Sequence, residues 1–204
     1  LVLTSYRDLP EDLDACKLIE TEENIYSITF WGSFERMHGL DTILDSAIEL
    51  GSEYKFYLIG DGSYFKHIKE RVEKEAITNV FLTGYLSKNI EDDVNLYSYI
   101  IKSDICLGAF SDTKKNNLVI PGKIVEAFLF GKPVVTAKTN YIENSCSDSV
   151  IAIHPDNSME LAKAIKTLST DEKLREDIVS KSKNYFQSNH SKNYFQNRLV
   201  KFLT

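Results

Sequence analysis

The sequence predicts an α/β fold, a Rossmann-like doubly wound parallel sheet followed by C-terminal helices. Three observations carry this. Short apolar runs alternate with helical periodicity from residue 25 onward, the runs are nearly uninterrupted rather than alternating apolar and polar, and the pattern turns wholly helical near the end. With 204 residues, 43% of them hydrophobic and 11% aromatic, the chain has enough apolar material for a sizeable core.

Strands are expected at Tyr26–Trp31, Lys55–Ile59, Val80–Leu82, Ile105–Ala109, Pro133–Ala137 and Val150–Ile153. Each is short and rich in β-branched or aromatic residues, as buried strands are. Between them helices are expected near Leu40–Leu50, Tyr64–Glu75, Val94–Ser103 and Lys123–Phe130, so that the crossovers are right-handed and ligands gather at the strands' carboxyl ends. After His154, Ser158 is expected to cap a helix through Leu168, Asp171 or Glu172 to start another running toward Gln187, and a last helix to span Lys192 to Leu203. Residues 1–24, with the acidic Glu20, Glu22 and Glu23, read as a lead-in segment; 25–187 form the α/β domain and 188–204 a C-terminal helix. The hexapeptide SKNYFQ occurs twice, at Ser182 and Ser191, too few copies for a repeat architecture.

A formal charge of -6 argues against a nucleic-acid surface and confines any anion site to a local pocket. Cys16, Cys106 and Cys146 are scattered, odd in number and without metal-ligand spacing, which predicts neither disulfides nor a zinc site and fits a reducing, cytoplasmic setting. No apolar stretch reaches the roughly 18 to 20 residues that cross a bilayer.

The stretch PGKIVEAFLFGKPVV, Pro121 to Val135, is the most informative. Pro121 and Gly122 mark a helix start, Gly131 its stop, and Val134-Val135 a central strand. Free amides and partial positive charge at such a start suit a phosphate. Glu126 is a carboxylate in an otherwise apolar helix, where it needs a partner; a cap, a salt bridge or a ligand hydroxyl are the alternatives. Just before it, Ser111 to Asn117 (SDTKKNN) reads as a ligand-ordered loop.

Four loops converge on the same sheet edge: Gly32-Ser33, Gly60-Asp61-Gly62, Gly84-Tyr85-Leu86, and the polar loop with Pro121-Gly122-Lys123. Gly32 and Gly39 do not match the GxGxxG spacing and no Walker loop is present, which argues against a nicotinamide enzyme or an NTPase. The series FWGSFERMHGLDTILDSA, YLIGDG, VFLTGYL, SDICLGAF, PGKIVEAFLFGKPVV and LAKAIKTL resembles, in order, the C-terminal, nucleotide-sugar-binding domain of the retaining GT-B glycosyltransferases, the large family-four group also termed glycosyl transferases group 1. The resemblance covers Ile25 to about Phe186.

It implies that Glu126 takes the ribose hydroxyls of a nucleoside diphosphate sugar, of UDP or GDP type. The amides near Pro121, Gly122 and Lys123 would hold the diphosphate, Gly32 and Ser33 would approach from the opposite loop, and Tyr85 with Leu86 would lie along the base. The chain departs from the family's pattern at Leu118, where a second Glu that contacts the sugar often stands, and in the first loop, where Ser33 and His38 stand at or near the usual Arg and Lys. Lys123 would then supply charge, with His38 contributing if protonated; Arg36 and Lys132 are weaker candidates, read as solvated. The implied chemistry is retaining sugar transfer without a metal or other cofactor, in capsule, lipopolysaccharide or other cell-surface polysaccharide synthesis; abundant Lys, Asn and Ile fit a bacterial, AT-rich genome.

In that architecture an acceptor-binding domain precedes this one. The chain therefore reads as half an enzyme, with catalytic residues unknown, a missing N-terminal acceptor-binding domain or subunit as partner, and peripheral association of the full enzyme with the inner face of the membrane. The isolated chain is expected to bind nucleotide without turnover. The alternative is a degenerate GT-B-like binding module that has lost the donor along with the first-loop cations. A signalling domain of doubly wound type ranks last, since Trp31-Gly32-Ser33 offers no cluster of carboxylates.

Overall fold

The computed structural model describes residues 6–203; residues 1–5 of the lead-in and Thr204 of the last helix lie outside the described residues. Six strands, β1 (Tyr26–Trp31), β2 (Tyr54–Ile59), β3 (Val80–Gly84), β4 (Ile105–Leu107), β5 (Val134–Ala137) and β6 (Ile151–Ile153), form one sheet in the order β3-β2-β1-β4-β5-β6. Every pairing is parallel, with Thr29 opposite Tyr57 on one side of β1 and Cys106 on the other. The Rossmann-like α/β architecture expected from the alternation is thus the observed one. Strands β1 to β3 build outward in one direction and β4 to β6 in the other, so the order reverses between β1 and β4. Open α/β sheets bind ligands at such a reversal.

Side-chain alternation divides the core between the two faces. Ile28, Phe30, Phe56, Leu58, Ile105, Leu107 and Val135 face one way, under α1 (Leu40–Leu50), α2 (Phe65–Lys74) and α6 (Ser158–Thr170). Trp31, Ile59, Cys106 and Val134 face the other, under α3 (Leu96–Lys102), α4 (Gly122–Leu129) and α7 (Glu172–Asn189). A short α5 (Asn140–Ser145) and the last helix, α8 (Lys192–Leu203), complete the set.

Several local expectations are corrected. Strand β4 ends at Leu107 rather than Ala109: the Gly108 amide still donates to the Val135 carbonyl of β5, but the Ala109 amide turns to the Thr136 hydroxyl. Asn157, not Ser158, caps α6; its side chain accepts from the Glu160 amide at 3.0 Å, leaving Ser158 as the first helical residue. Asp171 caps α7 by accepting from the Leu174 amide. Helix α5 had no apolar periodicity to reveal it and is set instead by Thr139, which accepts from the Ile142 amide. Lys132 is not solvated: its Nζ donates to the Ile101 carbonyl at 2.6 Å and its ordinary pKa is lowered by burial.

The lead-in packs on the domain. Cys16 is buried, with its Sγ 3.5 Å from Asn95 Oδ1. Tyr6 meets Phe195 of α8, ring centroids 5.3 Å apart, and the Arg7 amide donates to the His190 carbonyl.

Candidate functional site

Helix α4 anchors the site, and both of its ends are explained by local sequence. Pro121 precedes the helix as its cap, in extended backbone, rather than occupying the first helical position. Gly122 and Lys123 therefore begin the helix, with amides that lack intrahelical acceptors. At the other end Gly131 adopts a φ of +64°, its amide bonds to Phe128 O and that of Lys132 to Ala127 O, the paired bonds of a Schellman stop. Between them one face of α4 fills the core while Lys123 and Glu126 turn toward the end of β1.

These side chains look into a cleft of about 680 Å³ at the carboxyl ends of β1, β2 and β3. The ends of β1 and β2 are pressed together there. A Cβ on Gly60 would lie 1.8 Å from the Gly32 carbonyl oxygen, and Gly60 has a φ of +143°, so glycine is required.

Of the residues expected at the site, Gly32, Ser33, His38, Tyr85, Leu86, Gly122, Lys123 and Glu126 all line this cleft. Tyr85 is 77% exposed, an aromatic face free to take a planar group. Leu118 stands outside the cleft, 72% exposed. It lies in the stretch before α4, which is held through Asn116, whose Nδ2 donates to the carbonyls of Met37 and Ser111. Pro121 contributes the cap rather than a lining side chain.

Glu126 is buried and fully partnered. Trp31 Nε1 donates to its Oε2 at 2.8 Å, and Lys88 Nζ donates to Oε1. Lys123 is the converse: its Nζ is buried without a hydrogen-bond partner, 3.6 Å from the Phe30 ring centroid, and 3.2 Å from where a Cβ on Gly32 would stand. Burial alone holds its pKa well below the ordinary lysine range. His38 donates through Nδ1 to the Ser33 carbonyl. Burial first, and then the nearby Lys123, lower its pKa to about 4, so the protonation on which its expected contribution depended is absent at neutral pH. Arg36 is engaged elsewhere, its guanidinium 5.0 Å from the centroid of the Tyr64 ring.

Of the lining residues that escaped the sequence reading, Arg7, Trp31 and Lys88 carry polar groups. Arg7 comes from the lead-in, and its Nη2 lies 3.6 Å from where a Cβ on Gly122 would be, at the mouth of the α4 start. Trp31 and Lys88 are 95 and 38 residues from Glu126 in sequence, and no local pattern links them. The cleft thus brings two basic side chains, Arg7 and Lys123, and free helix amides around one end, and a carboxylate held by Lys88 around the other. A phosphate suits the first and a polyhydroxyl group the second. Among the described residues no group of three or more His, Cys, Asp or Glu is placed to hold a metal ion.

The sequence profile of the glycosyl transferases group 1 matches residues 17–185. The chain belongs to this family. No curated protein matches it by sequence. Among solved structures, HepE of Anabaena, determined with UDP and glucose, is similar at 19% identity and a TM-score of 0.71 over 88% of this chain and 48% of that one. The C-terminal domain of LpcC, a group 1 family protein from Francisella tularensis, aligns at 15% identity and a TM-score of 0.64 over 88% of this chain and 98% of that domain. The catalytic domain of the cholesterol-α-glucosyltransferase of Helicobacter pylori aligns at 14% identity and 0.63, over 80% and 98%. At these identities the likeness is one of fold, and the fold is that of the C-terminal, GT-B type domain of the family. The chain spans about half the length of HepE. Among the described residues no helix is long and apolar enough to cross a membrane.

Proposed function

We propose that this domain binds the nucleoside diphosphate sugar of a retaining, metal-independent glycosyltransferase, with UDP the favoured nucleotide. The observation that carries the reading is the α4 start: two free amides, the unpartnered Lys123 amino group and the Glu126 carboxylate share one cleft at the reversal of strand order. HepE was determined with UDP and glucose, which supports UDP over other nucleotides.

In this role the diphosphate lies on the amides of Gly122 and Lys123, with Lys123 and Arg7 as countercharges, and the ribose lies at Glu126. The base lies along the Tyr85–Leu86 edge. As the bond from sugar to diphosphate breaks, charge builds on the departing oxygen, and preoriented amides and cations in a partly water-excluded cleft stabilise it most where it develops. The acceptor, and the groups that orient it, belong to a partner domain or subunit. The product would be a surface polysaccharide of a bacterium, assembled at the cytoplasmic side of a membrane; Cys16, Cys106 and Cys146, all free and buried, are compatible with a reducing compartment.

One observation favours the degenerate module instead: the first loop brings no cation to the cleft, since Ser33 is neutral, Arg36 lies over the Tyr64 ring and burial lowers the His38 pKa to about 4. Arg7 and Lys123 fill that deficit from outside the loop. Calorimetric titration with UDP, GDP, ADP and dTDP, repeated in EDTA, separates the two. Micromolar-to-millimolar binding of one nucleotide, unchanged by EDTA, supports the transferase reading; binding of none supports the module.

A further inference from the structure

Glu126 is satisfied on both oxygens by side chains of the chain itself, and its two partners are unlike. Trp31 Nε1 is a fixed donor on a buried strand residue, 4% exposed, and bonds Oε2 at 2.8 Å. Lys88 bonds Oε1 from the segment between β3 and α3, and its side chain is about half exposed. One partner is part of the core; the other is a long, rotatable side chain at the cleft's rim. Both line the same cleft as the carboxylate they hold.

We propose that Trp31 is a positioning residue that fixes Glu126 with Oε1 toward the cleft, and that Lys88 is a displaceable latch whose place on Oε1 is taken by the vicinal hydroxyls of a ribonucleotide. This rests on the reading of the cleft as a nucleoside diphosphate site. The 2′- and 3′-hydroxyls donate to Oε1, the Lys88 ammonium is released to solvent or to the phosphates, and no covalent bond changes. A carboxylate free to rotate would spread its acceptor over many orientations, while the indole N–H holds one. Recognition of the diol then carries an exchange term: the hydroxyls must outcompete an ammonium. The indole sets the geometry of that exchange and the lysine sets its threshold.

The test is the ratio of dissociation constants of 2′,3′-dideoxy-UDP to UDP, measured by calorimetry at fixed pH and salt on the chain, on Trp31→Phe and on Lys88→Met. Both nucleotides carry the same diphosphate, so lost charge cancels from the ratio. The starting protein is expected to favour UDP by about tenfold, the scale of a hydrogen bond to a charged group. Trp31→Phe is expected to bring the ratio down to about two, with dideoxy-UDP affinity retained, which also shows that the variant folds. Lys88→Met is expected to raise the ratio, because the competitor is gone. Equal weakening of both nucleotides by Trp31→Phe, or an unchanged or lowered ratio in Lys88→Met, overturns the proposal. A ratio of one in the starting protein overturns it while leaving the nucleotide site standing; binding of neither nucleotide overturns the reading of the cleft itself.

Discussion

The Lys123 ammonium lies 3.6 Å from the centroid of the Phe30 ring and is buried with no hydrogen-bond partner. A ring face compensates only part of a cation's lost hydration. Its pKa is accordingly held well below the ordinary lysine range by burial. An arriving diphosphate would supply the missing countercharge and restore the charged form.

Nucleotide binding is therefore expected to take up protons. The other titratable groups near Lys123 are Arg7 at the helix start, Glu126 further along the same helix, and His38, held at about 4 and so neutral in this range, with Lys115 and Glu35 beside it. Because the bound-state pKa of Lys123 exceeds its free-state value, affinity for UDP falls as pH rises between the two, by up to about tenfold per pH unit. Calorimetry between pH 6 and pH 10 in buffers of differing ionisation enthalpy measures the uptake, and Lys123→Met is expected to abolish it.

His38 sets an acid limit on stability. Its native pKa of about 4 lies below the ordinary histidine value of 6.5, so the folded state binds fewer protons than the unfolded state between those values. Stability rises with pH through that window and is lost as pH falls through it. Urea denaturation at pH 4.5, 5.5 and 6.5 should show this slope, and His38→Gln should flatten it.

The contact between the β1 and β2 loops predicts two unequal glycine effects. At Gly60 a Cβ would meet the Gly32 carbonyl at 1.8 Å, whereas at Gly51, also at positive φ, nothing lies within 4 Å. Gly60→Ala is expected to cost about 3 kcal/mol or more and to abolish nucleotide binding. Gly51→Ala meets no clash and costs only the backbone term, about 1 to 3 kcal/mol, because φ 71° with ψ -158° is a region that glycine almost alone adopts. Denaturation midpoints of the two variants check the difference.

Arg7 should matter for phosphate and not for base. Its guanidinium sits near the α4 start, 3.6 Å from where a Cβ on Gly122 would stand. Arg7→Ala is expected to weaken UDP about tenfold and to leave uridine unchanged, as competition against a fluorescent uridine nucleotide would report.

The central strands were legible because they are buried on both faces and so read as nearly continuous apolar runs, with Tyr26–Trp31 and Val134–Ala137 clear cases; the edge strands β3 and β6 are partly exposed and were legible by their β-branched and aromatic residues. The helix start at Gly122 and the stop at Gly131 were legible because both rest on local backbone chemistry. Arg7, Trp31 and Lys88 were not. Their roles arise from long-range proximity to α4, and a lysine in a loop, a tryptophan ending a strand and an arginine in a lead-in look ordinary in sequence. His38 shows the same limit, since the residue type was visible and the burial that neutralises it was not.

The most direct measurement is a crystal structure of this chain with UDP. The ribose hydroxyls are expected within hydrogen-bond distance of Glu126 Oε1, and the phosphates on the amides of Gly122 and Lys123 with the Lys123 ammonium alongside. A ribose remote from Glu126, or phosphates seated away from the start of α4, would contradict the assignment of this cleft.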